Sequence, residues 1–159
     1  MRSYAAFLRI RHPSIDPDEL SHELGLAPAH AWAAGSARRA AGGGATVARP
    51  DTYWIAELNP GAWDPASLAR ALPFAWPVRG PVPLELVLFA QLRLLRPKRV
   101  FLKRLIDEGG QIDIALTLDT ASDDSMELSA SALRAFAELG IGLSIELGTE
   151  PQGEPGGNG

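Results

Sequence analysis

The sequence predicts an α+β fold in which helices cover one face of a mostly antiparallel sheet. Apolar and polar residues alternate at every second position from Gln111 to Asp119 and again from Ile141 to Leu147. A period of two places alternate side chains on opposite faces of a strand. Between these strands, an apolar stripe recurs at the helical spacing i, i+3, i+4 and i+7, at Leu133, Phe136, Ala137 and Gly140. Each strand has one apolar face only, so we expect helices on one side of the sheet.

The ends of this helix carry recognisable signals. The polar run from Ala121 to Ser125 predicts a loop before it. Ser129 or Ser131 is placed to cap the first turn, because a hydroxyl accepts from the free backbone N–H groups there. Gly140 predicts the end of the helix, since glycine adopts the left-handed conformation at little cost. The unit is therefore strand, loop, helix, strand.

The N-terminal part repeats the order of strand and helix. Alternation from Tyr4 to His12 predicts the first strand. Asp16 is a favourable N-cap, and Pro17 stands at the first helical position. Glu19 completes a capping-box-like pair with the N-cap, and Gly25 predicts the end of the helix.

The region after the first helix leads to the second main strand. Gly42–Gly44 predicts a flexible turn, and it is not a phosphate loop because no Lys-Ser or Lys-Thr pair follows it. Thr46 and Val47 predict a short edge strand. Alternation from Thr52 to Leu58 then predicts the strand that completes the first β-α-β unit.

A helical insert follows. An aspartate and a proline open a predicted short helix over residues 64–72. The leucines of Leu84–Leu95 fit the spacing of a strand and of a helix. Composition and length favour the helix, because the stretch has no run of β-branched residues. Pro97 begins a second helical piece, which Gly109 and Gly110 end.

The complete order is β-α-β, helical insert, β-α-β. Two such units in one sheet predict a ferredoxin-like two-layer sandwich. A length of 159 residues favours one domain, which we expect to span residues 1–147. Residues 148–159 are rich in glycine and proline with few apolar side chains, so we expect a disordered tail.

The amino-acid composition argues against several classes of function. Apolar residues make up 46% and charged residues 21%, as in ordinary globular proteins. The net charge of −4 argues against nucleic acid or an anionic membrane as the main partner. The absence of cysteine excludes a disulfide scaffold and thiolate chemistry. The N-terminal residues lack the apolar core of a signal peptide and no apolar run is long enough to span a bilayer, so we expect a cytoplasmic protein.

A series of short motifs runs from Tyr4 to Leu147. It comprises Leu8-Arg9-Ile10-Arg11-His12-Pro13, Asp16-Pro17-Asp18-Glu19-Leu20-Ser21, Leu24-Gly25-Leu26, Trp32 with Gly35 and Arg38, Tyr53-Trp54, Phe101-Leu102, Gly109-Gly110 and Leu139-Gly140-Ile141. In order and spacing, this series resembles the bacterial family known as domain of unknown function 4279. The resemblance implies a small bacterial α+β protein, and it brings no established activity or catalytic residues.

The sequence contains no recognisable catalytic set. Its three histidines lack the i, i+4 spacing of a helical metal pair. The acidic residues near position 120 lack the glycine and terminal glutamate of a calcium loop. The serines before the last helix lack a flanking Gly-x-Ser-x-Gly motif. We therefore expect no catalytic residues, no metal and no cofactor.

One group of residues suits ligand binding. It consists of Trp32, Arg38, Arg39, Tyr53, Trp54 and His12, with Arg9 and Arg11 nearby. Aromatic faces and guanidinium groups together suit a planar or anionic partner. In the alternative interpretation, Trp54 belongs to the core, Trp32 covers the sheet edge and the arginines are solvated. We weigh this alternative more heavily, because aromatic residues fill cores more often than they form ligand platforms.

These observations favour a non-catalytic protein-interaction module with an immunity-like or accessory role, whose partner is another protein. The alternative is a small-molecule binder or enzyme that uses the aromatic and arginine residues on a planar or anionic ligand. Nucleic-acid binding is a third class, which the acidic composition disfavours. A free edge of the sheet would also allow a homodimer, because unpaired strand edges pair readily with a copy.

Overall fold

The computed structural model describes residues 4–39, 42–58, 84–119 and 127–148. The elements in this described part are β1 (Tyr4–His12), α1 (Pro17–Leu24), β2 (His30–Trp32), β3 (Ala37–Arg39), β4 (Thr46–Ala48), β5 (Thr52–Glu57), α2 (Leu84–Leu95), a 3-10 turn (Arg96–Lys98), α3 (Arg99–Asp107), β6 (Gln111–Asp119), α4 (Ala130–Leu139) and β7 (Gly142–Gly148). The predicted α+β class is confirmed. The predicted helix over 64–72, the loop at 121–125 and the tail from 149 lie outside the described residues.

The main sheet contains five strands in the order β2-β5-β1-β6-β7. Every neighbouring pair is antiparallel except β6 and β7, which are parallel and joined through α4. Strands β3 and β4 form a separate antiparallel ribbon. The mostly antiparallel sheet is thus confirmed. The ferredoxin-like arrangement is not confirmed in detail, because β6 and β7 are direct neighbours, whereas a split β-α-β unit leaves a strand between them.

The core lies on one face of this sheet. Alternate residues of the three central strands are buried there, including Leu8, Trp54 and Ile114. All four described helices contribute to the same cluster: Leu20 and Leu24, Leu88, Leu92 and Leu95, Leu102 and Leu105, and Phe136. Burial of one such side chain contributes about 1.5–3 kcal/mol, so the helices are held to this face. The other face of the sheet carries the alternate, more polar residues.

Helix α1 begins and ends where its sequence signals predict. The Oδ1 atom of Asp16 accepts a hydrogen bond from the backbone N–H of Asp18 at 2.9 Å. Gly25 closes the helix with a left-handed φ of 65°. The capping-box pairing is only half present, because the Glu19 side chain instead forms an ion pair with Arg104 of α3.

The ambiguity of residues 84–95 is resolved in favour of a helix. Leu88, Leu92 and Leu95 are buried at helical spacing, so the leucine pattern reflects one packed stripe. Pro97 lies in the 3-10 turn after this helix, and α3 begins at Arg99. A proline there has no N–H group to continue the hydrogen-bond ladder, which explains the break between the two helices.

Helix α4 has the predicted ends but a different buried stripe. Ser129 is the N-cap, and Gly140 ends the helix with a φ of 67°. Leu133, predicted to face the core, is 51% exposed. The inward positions are Ala132, Ala135, Phe136 and Leu139. They keep the spacing i, i+3, i+4 and i+7 but start one residue earlier.

Strand β7 is less buried than the apolar alternation of its sequence predicts. Ile141 is buried just before the strand, whereas Ile145 is 45% and Leu147 66% exposed. The predicted apolar alternation is therefore present, but the described helices do not cover its second half. None of the helices in the described ranges is long and apolar enough to cross a membrane.

Candidate functional site

The edge strand β2 and its neighbour β5 bring two aromatic side chains together on the open face of the sheet. Trp32 of β2 lies opposite Tyr53 of β5 in the antiparallel register. Their rings stack with centroids 4.5 Å apart and an interplanar angle of 18°. Directly opposed residues of an antiparallel pair share a face and approach closely, so the strand register itself produces this contact.

A guanidinium group lies over each of the two rings. The Cζ atom of Arg49 is 4.3 Å from the centroid of Trp32, and that of Arg11 is 5.7 Å from the centroid of Tyr53. Both distances fall within the range of cation–π attraction. Arg49, Trp32, Tyr53 and Arg11 thus form a continuous row, which we call the aromatic–arginine stack.

Arg49 reaches the stack because the β3–β4 ribbon closes beside it. Its backbone N–H donates to the carbonyl of Ser36 at 2.8 Å, and its carbonyl accepts from Gly35 at 2.8 Å. Gly35 has a φ of 79°, in the left-handed region that glycine adopts without a steric penalty. The ribbon therefore returns the chain from β2 to Arg49 and fixes the arginine backbone next to Trp32.

A buried threonine holds the chain that follows Trp32. The Oγ1 atom of Thr52 donates to the carbonyl of Ile15 at 2.6 Å and accepts from the N–H of Ala34 at 3.0 Å. Thr52 is fully buried. These bonds join the loop after β2 to the segment before α1, so Trp32 is held on its strand and by the chain on its C-terminal side.

The Nε atom of Arg49 differs from the other polar atoms of the stack in its hydrogen bonding. It is buried and has no hydrogen-bond partner among the described residues. A buried donor without an acceptor costs about 1–3 kcal/mol, and native proteins contain few of them. Arg11 is exposed, and no carboxylate of the described chain lies within ion-pair distance of it or of Arg49. The stack therefore combines exposed aromatic surface with positive charge that no carboxylate of the described residues neutralises.

Arg9 lies on the same face but belongs to a closed network. Its Nε and Nη2 atoms donate to the carboxylate of Asp113 at 3.1 and 2.5 Å. Ser144 donates to the same carboxylate at 2.8 Å. The hydrogen bond to Asp113 raises the pKa of Arg9 above its ordinary value. Arg9 thus connects β1, β6 and β7, and its hydrogen-bonding groups are committed within the sheet.

Trp54 lies away from the stack. It is 0% exposed on the core face, and its Nε1 atom donates to the Oγ of Ser21 at 3.0 Å. Trp54 follows Tyr53 directly, so the alternation of the strand places the two side chains on opposite faces. The alternative interpretation of Trp54 as a core residue agrees with this position.

His12 is also a core-face residue, 3% exposed. Its Nδ1 atom accepts from the backbone N–H groups of Ser14 and Ile15 at 3.1 and 2.9 Å. A ring nitrogen that accepts carries no proton, so the proton of the neutral ring is on Nε2, which donates to Glu108 at 3.1 Å. His12 therefore shapes the turn after β1 and joins it to the end of α3.

Arg38 and Arg39 are exposed on the β3 strand of the ribbon, opposite Val47 and Thr46. The structure does not bring their side chains onto either ring of the stack; Arg49 occupies that position over Trp32. Arg49 is not among the residues predicted from the sequence, because its position follows from the pairing of β3 with β4. Recognising that hairpin in the sequence would have placed Arg49 beside Gly35.

The described residues contain no cluster of three or more potential metal ligands. Comparison of the chain with protein-family models, curated proteins and solved structures found no match.

Proposed function

We propose that the protein is a non-catalytic interaction module that binds another protein through the aromatic–arginine stack. The observation that carries this proposal is the 36% exposed Trp32, placed between Tyr53 and Arg49. Tryptophan, tyrosine and arginine are the residues that most often dominate the binding energy of protein interfaces. Their concentration on the open face of a sheet supports this function.

The charge and the rigidity of the aromatic–arginine stack suit a partner with acidic side chains. Arg11 and Arg49 lack carboxylate partners in the described chain, so acidic side chains of a partner would complement them. The stack is held by strand pairing and by the ribbon, so little conformational entropy is lost when a partner binds. Tyrosine and tryptophan also lose few rotamers for the area that they bury.

A photo-crosslinking experiment in the native cell tests this proposal. We would place a photoreactive amino acid at Val47, which is 46% exposed on the ribbon, and as a matched control at Leu133, which is 51% exposed on α4. We expect one discrete crosslinked protein from position 47 that is absent from position 133. Trp32→Ala should abolish this product. A product that appears at both positions, or that persists in Trp32→Ala, would contradict the proposal.

A second candidate function is the binding of a small anionic ligand at the stack, which the unpartnered Nε of Arg49 favours. A planar ligand would have to compete with Tyr53 and Arg49, which already lie within 4.5 Å of the Trp32 ring. This competition favours a protein partner that contacts the exposed edges of the stack. A thermal-shift screen of carboxylates separates the two functions, since a bound ligand raises the melting temperature by mass action.

Our proposal also includes the broader expectations from the sequence. The role would be immunity-like or accessory, in the cytoplasm, and the bacterial family known as domain of unknown function 4279 is the proposed relative. The fold would be a variant of the ferredoxin-like sandwich. A homodimer through a free sheet edge is an additional expectation, which size-exclusion chromatography with light scattering would test.

A further inference from the structure

A cavity of about 590 Å³ that is wide open to solvent lies where α2 meets α3, and its lining includes the exposed residues Arg93, Arg96, Pro97, Arg99 and Val100. This volume is within the range of about 300–1,000 Å³ that small-ligand sites occupy. The buried leucines of α2 and α3 fix which side of each helix faces the core. The residues that line the cavity therefore face away from the core.

Positive charge accumulates around this cavity without a matching number of carboxylates. Four of the seven residues from 93 to 99 are basic: Arg93, Arg96, Lys98 and Arg99. Among the described residues, only Glu138 lies within ion-pair distance of the four, at 3.7 Å from Arg96. The whole chain carries a net charge of −4, so this cluster runs against the overall charge.

The following turns of α3 show the opposite behaviour. Lys103 pairs with Asp107 at 2.6 Å, and Arg104 pairs with Glu19. Cations on the same helix are thus neutralised by acidic neighbours a few residues beyond the cavity. Within the described part of the chain, the lack of ion-pair partners for Arg93, Lys98 and Arg99 is therefore a local property of the junction.

We propose that this cavity binds a soluble, small organic molecule that carries two or more phosphate groups. Guanidinium groups bind phosphate oxygens through paired N–H donors, which makes arginine the preferred residue for this chemistry. With Glu138 as the one opposing carboxylate among the described residues, the four cations leave three positive charges, which a di- or triphosphate would neutralise. Val100 is 77% exposed beside the arginines, and with Pro97 it offers an apolar wall to the remainder of the ligand. This site is separate from the aromatic–arginine stack.

Isothermal titration calorimetry of the full chain with inorganic triphosphate tests this proposal, with ATP as a second probe. We expect saturable 1:1 binding of both, tighter for ATP because its nucleoside adds contacts to the apolar wall. Each arginine supplies charge-assisted hydrogen bonds, so each Arg→Gln change should weaken binding about tenfold. The double variant Arg93→Gln/Arg99→Gln should therefore weaken binding by at least about 30-fold. Arg99→Lys should give an intermediate loss, since it keeps the charge and loses the fork.

The matched control is Lys103→Gln, which removes one positive charge from the same helix outside the cavity. It should change the affinity by no more than about twofold. An equal loss in Lys103→Gln and in Arg99→Gln would show a diffuse electrostatic effect and overturn the proposal. Far-UV circular dichroism of each variant would verify that it is folded.

Two further measurements distinguish other sources of phosphate. Wild-type protein that binds vesicles of anionic phospholipid but gives no heat with triphosphate would overturn the assignment to a soluble ligand. Trp32→Ala should bind triphosphate as the wild type does, because Trp32 does not line the cavity. A loss of binding in that variant would place the anion at the stack instead and contradict the proposal.

Discussion

The substitutions Trp54→Ala and Trp32→Ala should lower the free energy of unfolding by different amounts, because only Trp54 is fully buried. Trp54 is 0% exposed and its indole N–H donates to Ser21, so Trp54→Ala leaves a large cavity and removes one of the two hydrogen bonds of the Ser21 hydroxyl. Removal of a buried tryptophan or phenylalanine costs about 3–5 kcal/mol of unfolding free energy. Trp32 is 36% exposed, and its loss removes one aromatic pair and one cation–π contact. These contacts contribute about 0.5–1.5 and 0.5–1 kcal/mol in addition to the apolar area that Trp32 buries, so Trp32→Ala should cost at least about 1–2.5 kcal/mol, and less than Trp54→Ala because Trp32 is partly exposed.

Urea unfolding followed by far-UV circular dichroism measures both costs without relying on tryptophan fluorescence. Trp54→Phe is the matched control, because it keeps much of the buried volume and should recover most of the loss. Equal costs for Trp32→Ala and Trp54→Ala would refute the assignment of the two side chains to opposite faces. A larger cost for Trp32→Ala would mean that Trp32 is the core residue.

The turns that end and begin helices give further predictions. Gly140→Ala and Gly25→Ala should each cost about 1–2 kcal/mol, because both glycines have left-handed φ angles, of 67° and 65°. Gly140→Ala should cost about 0.5–1.5 kcal/mol more, since its new Cβ would lie 2.5 Å from Cδ1 of Ile106 and must displace that side chain, whereas nothing lies within 4 Å at Gly25. Thermal unfolding of the two variants side by side checks the difference, and an equal loss would contradict it. Asp16→Ala should cost about 1 kcal/mol of unfolding free energy, because it removes the N-cap of α1. Asp18→Ala should cost less, because the Asp18 side chain does not cap the helix. Equal melting temperatures for these two variants would refute this helix start.

Local signals in the sequence predicted most element boundaries. The strands β1 and β6 have the predicted limits, because their two-residue alternation reflects burial on one face. Asp16 and Gly140 mark helix ends because caps depend on the conformation of a few adjacent residues. Signals of this kind require no knowledge of the rest of the chain.

Features that depend on distant contacts were predicted less well. The stripe of α4 that starts at Leu133 and the one that starts at Ala132 both have helical spacing. Which of them faces the core therefore depends on how the helix packs against the sheet. The strand order could not be obtained from alternation, which records burial and not which strands are neighbours. Arg49 joins Trp32 only through the pairing of two three-residue strands, for which a sequence of this kind gives a weak signal.

The face of the sheet on which each aromatic side chain lies was the least predictable property of the candidate site. Tyr53 and Trp54 are adjacent and chemically similar, and a strand must place them on opposite faces. The interpretation favoured from the sequence, with Trp54 in the core, agrees with the packing of α1 against β5, where Trp54 bonds to Ser21. The predicted group of ligand-binding residues nevertheless combined side chains that the sheet separates.

The affinity of the crosslinked partner for purified variants tests the central claim most directly, because it isolates the aromatic–arginine stack from the fold. Trp32→Ala should weaken this binding by at least about 30-fold, which corresponds to the roughly 2 kcal/mol typical of a dominant interface residue. Leu133→Ala, a change at a similarly exposed apolar residue on α4, should leave it unchanged. A partner that binds Trp32→Ala as tightly as the wild type would contradict the account.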